Sequence, residues 1–149
     1  MLTARDIMNS EVITITDEST IKELARILTI HQISGVPVIN DQGKLVGVVT
    51  ESDLIYQTKK VHIPTVITIL DSVFYLENPD RIGDEMKKMA GTKVKDILTS
   101  KPVTVTENTP LDEIATIMAE KNMHTLPVVN KDGLVGVIGK KDIIRTLID

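Results

Sequence analysis

Two periods of apolar residues alternate along this chain. Val12–Thr16 and Val103–Thr106 are β-branched runs that read as strands. After each, apolar residues recur at Ile21, Leu24, Ala25 and Leu28, and at Leu111, Ile114, Ala115 and Met118. That spacing lays one stripe along a helix. Ser19 and Thr109 stand where a capping side chain is expected, and Pro110 suits a first helical position. Two strand pairs are predicted next, Val36–Ile39 with Leu45–Thr50 and Leu126–Val129 with Leu134–Ile138. Asn40-Asp41-Gln42-Gly43 and Asn130-Lys131-Asp132-Gly133 join them as hairpin turns, each ending on a glycine able to take positive φ. A second helix is predicted from near Ser52 and from near Lys141. The strands are almost wholly apolar, so both faces of each sheet are expected to be covered.

The order β-α-β-β-α thus occurs twice, and the residues repeat with it. Residues 4–57 align with 94–146 at an offset of 90, which becomes 89 after Gly43 and Gly133. Asp6 matches Asp96, Pro37 matches Pro127, Gly47 matches Gly136 and Asp53 matches Asp142. The domain reading is therefore a first repeat over 1–57, a connector over 58–93 and a second repeat over 94–149. A unit of this size buries too little surface to be stable alone, so a shared core is expected. The fold class is α/β (α+β). The connector has no counterpart in either copy. It holds an apolar stretch, His62–Leu76, and a predicted short helix, Asp80–Met89. It reads either as a segment packed on the pair or as a dimer or partner surface.

Composition narrows the function by exclusion. The chain has no cysteine, which removes disulfides, thiolate chemistry and Cys-based zinc sites and is compatible with a cytoplasmic setting. Net charge is −4 with basic residues scattered, whereas a nucleic-acid binder shows a basic patch. The three aromatics, Tyr56, Phe74 and Tyr75, do not form a stacking platform. No apolar run is long enough for a membrane span, and without a basic segment followed by an apolar one near Met1 no signal peptide is expected. His31, His62 and His124 lack the spacing of a zinc hydrolase, and neither a G-x-S-x-G elbow nor a phosphate-binding P-loop is present. No catalytic residue, required cofactor or metal site is expected, and the chain reads as a non-enzyme.

One motif does carry chemistry. A strand ends at Thr50 and a helix begins just beyond it, so free N–H groups and a hydroxyl stand where a phosphate would be held. Asp53, in the first turn, offers two acceptor oxygens suited to paired ribose hydroxyls. Gly47 leaves room for a ligand or a backbone. The same Thr50-x-x-Asp53 spacing also fits a helix capping box with no ligand at all, and both readings stand at this point.

The ordered set of marks resembles a CBS domain, found twice, as in a Bateman module. The marks are Asp6-Ile7-Met8 and Asp96-Ile97-Leu98, the runs around Thr14 and Thr104, Gly35-Val36-Pro37-Val38 and Thr125-Leu126-Pro127-Val128, and the segments ending at Asp53 and Asp142. The resemblance implies two repeats in pseudo-two-fold symmetry sharing a core, with two clefts between them that each draw on both copies. By that pattern the Asp53 cleft takes Val48, Thr50, Ser52 and Asp53 with Thr104, Met123, His124 and Thr125. The Asp142 cleft takes Val137, Lys141 and Asp142 with Thr14, Ile33, Ser34 and Gly35. Pro37 and Pro127 belong to the same motifs. The implied ligand is an adenine nucleotide (AMP, ADP or ATP) in a regulatory, energy-sensing role. S-adenosylmethionine, NADH, or empty clefts in an interaction protein are the alternatives. The resemblance also implies a homodimer and a partner effector that reads the bound state. Position 139 is Gly where the pattern wants Ser or Thr, and Lys140 and Lys141 either compensate by charge or are solvated. His124 reads as a phosphate contact or as a structural side chain. On the hydroxyl difference, the Asp53 cleft is expected to be the better site.

Overall fold

The computed structural model describes residues 1–57 and 92–148. In the first repeat, a short helix α1 (Ala4–Ile7) precedes β1 (Ile15–Thr16), α2 (Ile21–His31), β2 (Gly35–Ile39) and β3 (Leu45–Thr50). Residues 51–57 are helical and form α3 as far as they are described. In the second, a 3-10 turn at Val94–Asp96 leads into β4 (Thr99–Ser100), β5 (Val105–Thr106), α4 (Leu111–Glu120), β6 (Thr125–Asn130), β7 (Gly133–Gly139) and α5 (Lys140–Arg145). β1 lies parallel to β2, which pairs antiparallel with β3, and β5, β6 and β7 repeat that arrangement. The hairpins turn as predicted, with Gly43 at φ 77° and Gly133 at φ 123°. The apolar stretch His62–Leu76 and the helix predicted at Asp80–Met89 lie outside the described residues.

Two local expectations are corrected. The first strands are shorter than their β-branched runs, because only Ile15–Thr16 and Val105–Thr106 find ladder partners. The caps also fall one residue later than predicted. Thr20, not Ser19, caps α2, accepting the Glu23 N–H at 3.2 Å, and Pro110 is itself the N-cap of α4. Ser19 and Thr109 instead close the turn between strand and helix. Ser19 Oγ lies 2.7 Å from Thr16 Oγ1, and Thr109 Oγ1 accepts the Thr106 N–H at 3.1 Å.

The residues ahead of each repeat's first strand belong to the other repeat's structure. The Ala4 and Arg5 N–H groups donate to Thr109 and Glu107 carbonyls at 2.9 and 3.0 Å. The Val94 and Lys95 N–H groups donate to Ser19 and Asp17 carbonyls at 2.8 and 3.0 Å, the same pattern with the copies exchanged. β4 then adds to the free edge of β3, Thr99 opposite Val48, and Asn9 bridges Val137 in the matching place. The apolar residues follow. Ala4, Ile7 and Met8 pack on the core of Val105, Ile114, Met118, Leu126, Val128 and Ile138. Val94, Ile97 and Leu98 pack on the core of Ile15, Leu24, Leu28, Val36, Val38 and Val49. Val94 has no exposed surface, and burying a side chain of that size is worth about 1.5–3 kcal/mol. Neither sheet closes its core without the other copy, which is how two units this small become stable together.

The crossing segments explain two glycines. A Cβ on Gly47 would sit 2.5 Å from the Thr99 carbonyl oxygen and 2.7 Å from Leu98 Cδ1, and one on Gly136 would run into Met8. The close approach foreseen at Gly47 is thus met by the other repeat's backbone. Gly47→Ala is expected to lower unfolding free energy by about 1–3 kcal/mol, since backbone cannot give way as a side-chain tip does. Urea unfolding measures this, and an unchanged midpoint would contradict the packing.

Ion pairs reinforce the same crossings. Lys93 and Lys95 both reach Glu18, the latter at 2.9 Å, and Arg5 Nε lies 3.0 Å from Glu107. Hydrogen bonds from Lys93 and then Lys95 hold the Glu18 carboxyl at about 2, against its usual 4.5. A folded value below the unfolded one stabilises fully above pH 4.5 and fades as pH falls from there towards 2. Glu18→Gln should therefore show a shallower loss of stability than wild type across that window. Parallel curves of urea midpoint against pH would rule the linkage out.

Candidate functional site

The two repeats touch where β2 and β6 begin. Gly35 and Thr125 are equivalent residues in the two copies, and a Cβ added to Gly35 would lie 2.7 Å from Thr125 Oγ1. Each strand reaches this seam through a left-handed residue, Gln32 at φ 53° after α2 and Asn122 at φ 52° after α4. That conformation ends a helix and turns the chain back, bringing Ile33-Ser34 and Met123-His124 to the junction.

Beside the seam a cavity of about 640 Å3 opens, within the range of small-molecule sites. Its apolar wall includes Ile13, Leu28, Ile33, Pro37 and Val137. Its charged groups are Glu11 and Glu51 from the first repeat and Lys140, Lys141, Asp142 and Arg145 from the second, with the His124 imidazole beside them. An apolar slot with a few charged groups from both copies suits a flat heterocycle carrying a polar tail.

Both motif aspartates act as caps. Asp53 Oδ2 accepts the Thr50 N–H at 2.9 Å and the Thr50 hydroxyl at 3.1 Å, and the Asp53 N–H points back to Thr50 Oγ1 at 3.4 Å. Asp142 Oδ2 accepts the Gly139 N–H at 2.7 Å, with no hydroxyl to add because residue 139 is glycine. The capping geometry and the ligand reading are compatible, because each cap uses one carboxylate oxygen. Asp142 Oδ1 is met by Arg145 Nη1 at 3.5 Å, with the aspartate side chain 17% exposed. The hydroxyl expected to serve phosphate at Thr50 is itself engaged with Asp53.

The cavity gathers Ile33, Ser34, Gly35, Pro37, Val137, Lys141 and Asp142, together with His124 and Thr125. Thr14 is not in its lining, and its neighbour Ile13 is. Val48, Thr50, Ser52, Asp53, Thr104, Met123 and Pro127 stand outside it. Val48 and Pro127 are buried in their strands, Ser52 is exposed, and Thr104 and Met123 are half-buried. Gly139 and Lys140, weighed at this cleft from the sequence, also line it, and the lining residues that sequence reasoning missed are Asn9, Glu11, Ile13, Ala25, Leu28, Thr29, Gln32, Glu51, Leu54, Ile55 and Arg145. Arg145 was within reach, since it stands three residues after Asp142 on one helix. Asn9 and Glu11 were not, because they arrive on the segment that crosses between copies.

The comparisons bear on this arrangement. The sequence model of the CBS domain matches residues 4–59 and 94–149. The chain belongs to the CBS domain family. It carries two CBS domains in tandem, and its mixed α/β fold is that of CBS pairs. Protein MJ1426 of Methanocaldococcus jannaschii is 32% identical over 153 residues, covering 97% of this chain and 90% of that protein. The CBS domain pair of protein MJ0100, solved in complex with 5′-methylthioadenosine and S-adenosylmethionine, is 25% identical with a TM-score of 0.70, covering 99% of this chain and 96% of that one. CBSX2 of Arabidopsis thaliana, solved in complex with AMP, shares the fold at 24% identity and a TM-score of 0.74, covering 99% of this chain and 97% of that one. Among the described residues, no helix of this CBS pair is long and apolar enough to cross a membrane.

Proposed function

We propose that this CBS pair is a regulatory module that holds an adenosine-containing compound in the cavity against Asp142 and passes its occupancy to a partner protein. The observation that carries the reading is Asp142 itself. Its Oδ2 is fixed by the Gly139 N–H, while Oδ1 turns to a group, Arg145, that a ligand can displace. A carboxylate held this way accepts the two hydroxyls of a ribose. Adenine fits the apolar wall of Ile13, Leu28, Ile33 and Val137, where flat faces find dispersion contact. The MJ0100 pair, with two adenosine compounds bound, supports an adenosine ligand. The hydroxyl argument ranked the Asp53 side first. With Thr50 occupied in capping and the cavity lying against Asp142, we place the ligand here and keep the Asp53 side as a second, weaker site.

Signalling follows from linkage. A ligand that touches both repeats favours the arrangement of copies that fits it, by the difference in its affinity for the alternatives. The second helices offer a reading surface. Ile55 on α3 and Ile144 on α5 occupy equivalent positions and are 65% and 55% exposed. Leu147 and Ile148, which follow α5, are also exposed. We assign this face to a second copy of the chain, since a two-fold-related pair of helices is self-complementary in a symmetric dimer.

Native mass spectrometry of freshly purified protein should report a dimer and retained adenosine compound. In a thermal-shift assay, AMP, ATP or S-adenosylmethionine at a hundred-fold excess over Kd should raise stability by about 2.7 kcal/mol. Asp142→Ala should abolish that rise at this site. The unliganded variant should lose only about 1 kcal/mol from the missing cap. If no adenosine compound shifts the wild-type melting temperature, the reading fails and the clefts belong to an interaction protein.

A further inference from the structure

Arg145 meets the Asp142 oxygen that the proposed ribose would use. Its Nη1 lies 3.5 Å from Asp142 Oδ1, while the Gly139 N–H holds Oδ2 at 2.7 Å. The aspartate side chain is 17% exposed and the arginine 68%, so the acid is fixed and the base is free to turn. Both side chains line the cavity. The cavity's other charged side chains are Glu11, Glu51, Lys140 and Lys141, the imidazole of His124 also lines it, and among the described residues only Arg145 is in ion-pair contact with Asp142. The equivalent residue of the first repeat is Tyr56, which carries no such charge.

A long ion pair with one exposed partner is weak and readily exchanged. When ribose hydroxyls take Oδ1, the guanidinium is released from that oxygen. A phosphate on the ribose supplies another acceptor, and a planar guanidinium grips phosphate through two parallel hydrogen bonds. A neutral adenosine compound supplies none, and leaves the guanidinium to water and to the cavity's Glu11 and Glu51. The same residue thus rewards one ligand class and not the other, and specificity is that difference in affinity.

We propose that Arg145 is the specificity-determining residue of this cleft, selecting adenosine compounds that carry a phosphate by exchanging Asp142 for that phosphate as the ribose binds. The inference rests on the adenosine reading above. The two lysines attract any anion, but neither is displaced by a ribose, so neither couples the two ends of the ligand.

Isothermal titration of the full chain with AMP, adenosine and 5′-methylthioadenosine tests this, read at the site that Asp142→Ala removes. Wild type should bind AMP about ten-fold or more tightly than either neutral compound. Arg145→Gln should weaken AMP about ten-fold while leaving the neutral compounds unchanged or tighter, so the preference collapses. Arg145→Lys keeps the charge without the planar fork and should fall between. Arg145 is exposed, so the unliganded melting temperature of both variants should match wild type. If Arg145→Gln weakens AMP and adenosine equally, or changes neither, the cleft still binds adenosine and the role of Arg145 is overturned. A wild type that prefers the neutral compounds overturns it too. If none of the three binds wild type, the adenosine reading fails and takes this inference with it.

Discussion

The exchange of lead segments between the two repeats is the constraint on which the rest of the molecule depends. Each repeat alone is a three-stranded sheet with one long helix, and its core is open on one side. Ala4, Ile7 and Met8 close one core, and Val94, Ile97 and Leu98 close the other. Because each segment is covalently part of one copy and packed in the other, the copies are locked in register. Backbone hydrogen bonds at equivalent places, Ala4 to Thr109 and Val94 to Ser19, keep that register symmetric. Exposed ion pairs such as Arg5 with Glu107 sit at the edges of these crossings, where solvent screens them. Buried apolar surface carries the larger share of the energy.

The candidate site inherits its shape from this lock. With the copies held by their crossing segments, β2 and β6 meet at Gly35 and Thr125, and the cavity is what remains beside that contact. The crossing segment also supplies part of the wall, through Asn9, Glu11 and Ile13. A ligand held there would touch both copies and the segment that couples them, so its binding free energy would act on the relative placement of the repeats. The symmetry is broken in the details. Thr50 has a hydroxyl where Gly139 has none, and Tyr56 stands where Arg145 carries charge. Two motifs built on one plan therefore present different chemistry.

Much of the fold was legible in the residues. Helical spacing from Ile21 to Leu28 and from Leu111 to Met118, the apolar hairpins and the repeat itself all report local structure, and local structure is what periodicity encodes. The first strands were over-read because Val12–Thr14 are β-branched but have no ladder partner, and a propensity says nothing about who sits alongside. The caps were misplaced by one residue because Ser19 and Thr20 are both good acceptors, and the strand-to-helix turn uses the first. The crossing of lead segments was not legible at all. Ile7, Met8, Ile97 and Leu98 read as apolar, but nothing in their pattern says which core they enter. For the same reason Asn9 and Glu11 were invisible as cavity residues. Asp53 reads with two roles in competition, cap and ligand contact, and the cap takes only one of its carboxylate oxygens, while Asp142 caps its helix in the same way. The ranking of the two sides rested on a single hydroxyl. It missed that this hydroxyl is already spent on its own helix.

Native-state hydrogen exchange of the Ala4 and Val94 amides tests the interlock most directly. If the crossing segments are parts of both cores, these two protons exchange only with global unfolding. Their opening free energies then equal those of Val38 and Val128 in the central strands and fall with urea at the same slope. Exchange of Ala4 and Val94 through a low-energy, urea-independent opening, while Val38 and Val128 stay protected, would mean that the repeats stand without each other's lead segments and would contradict the account.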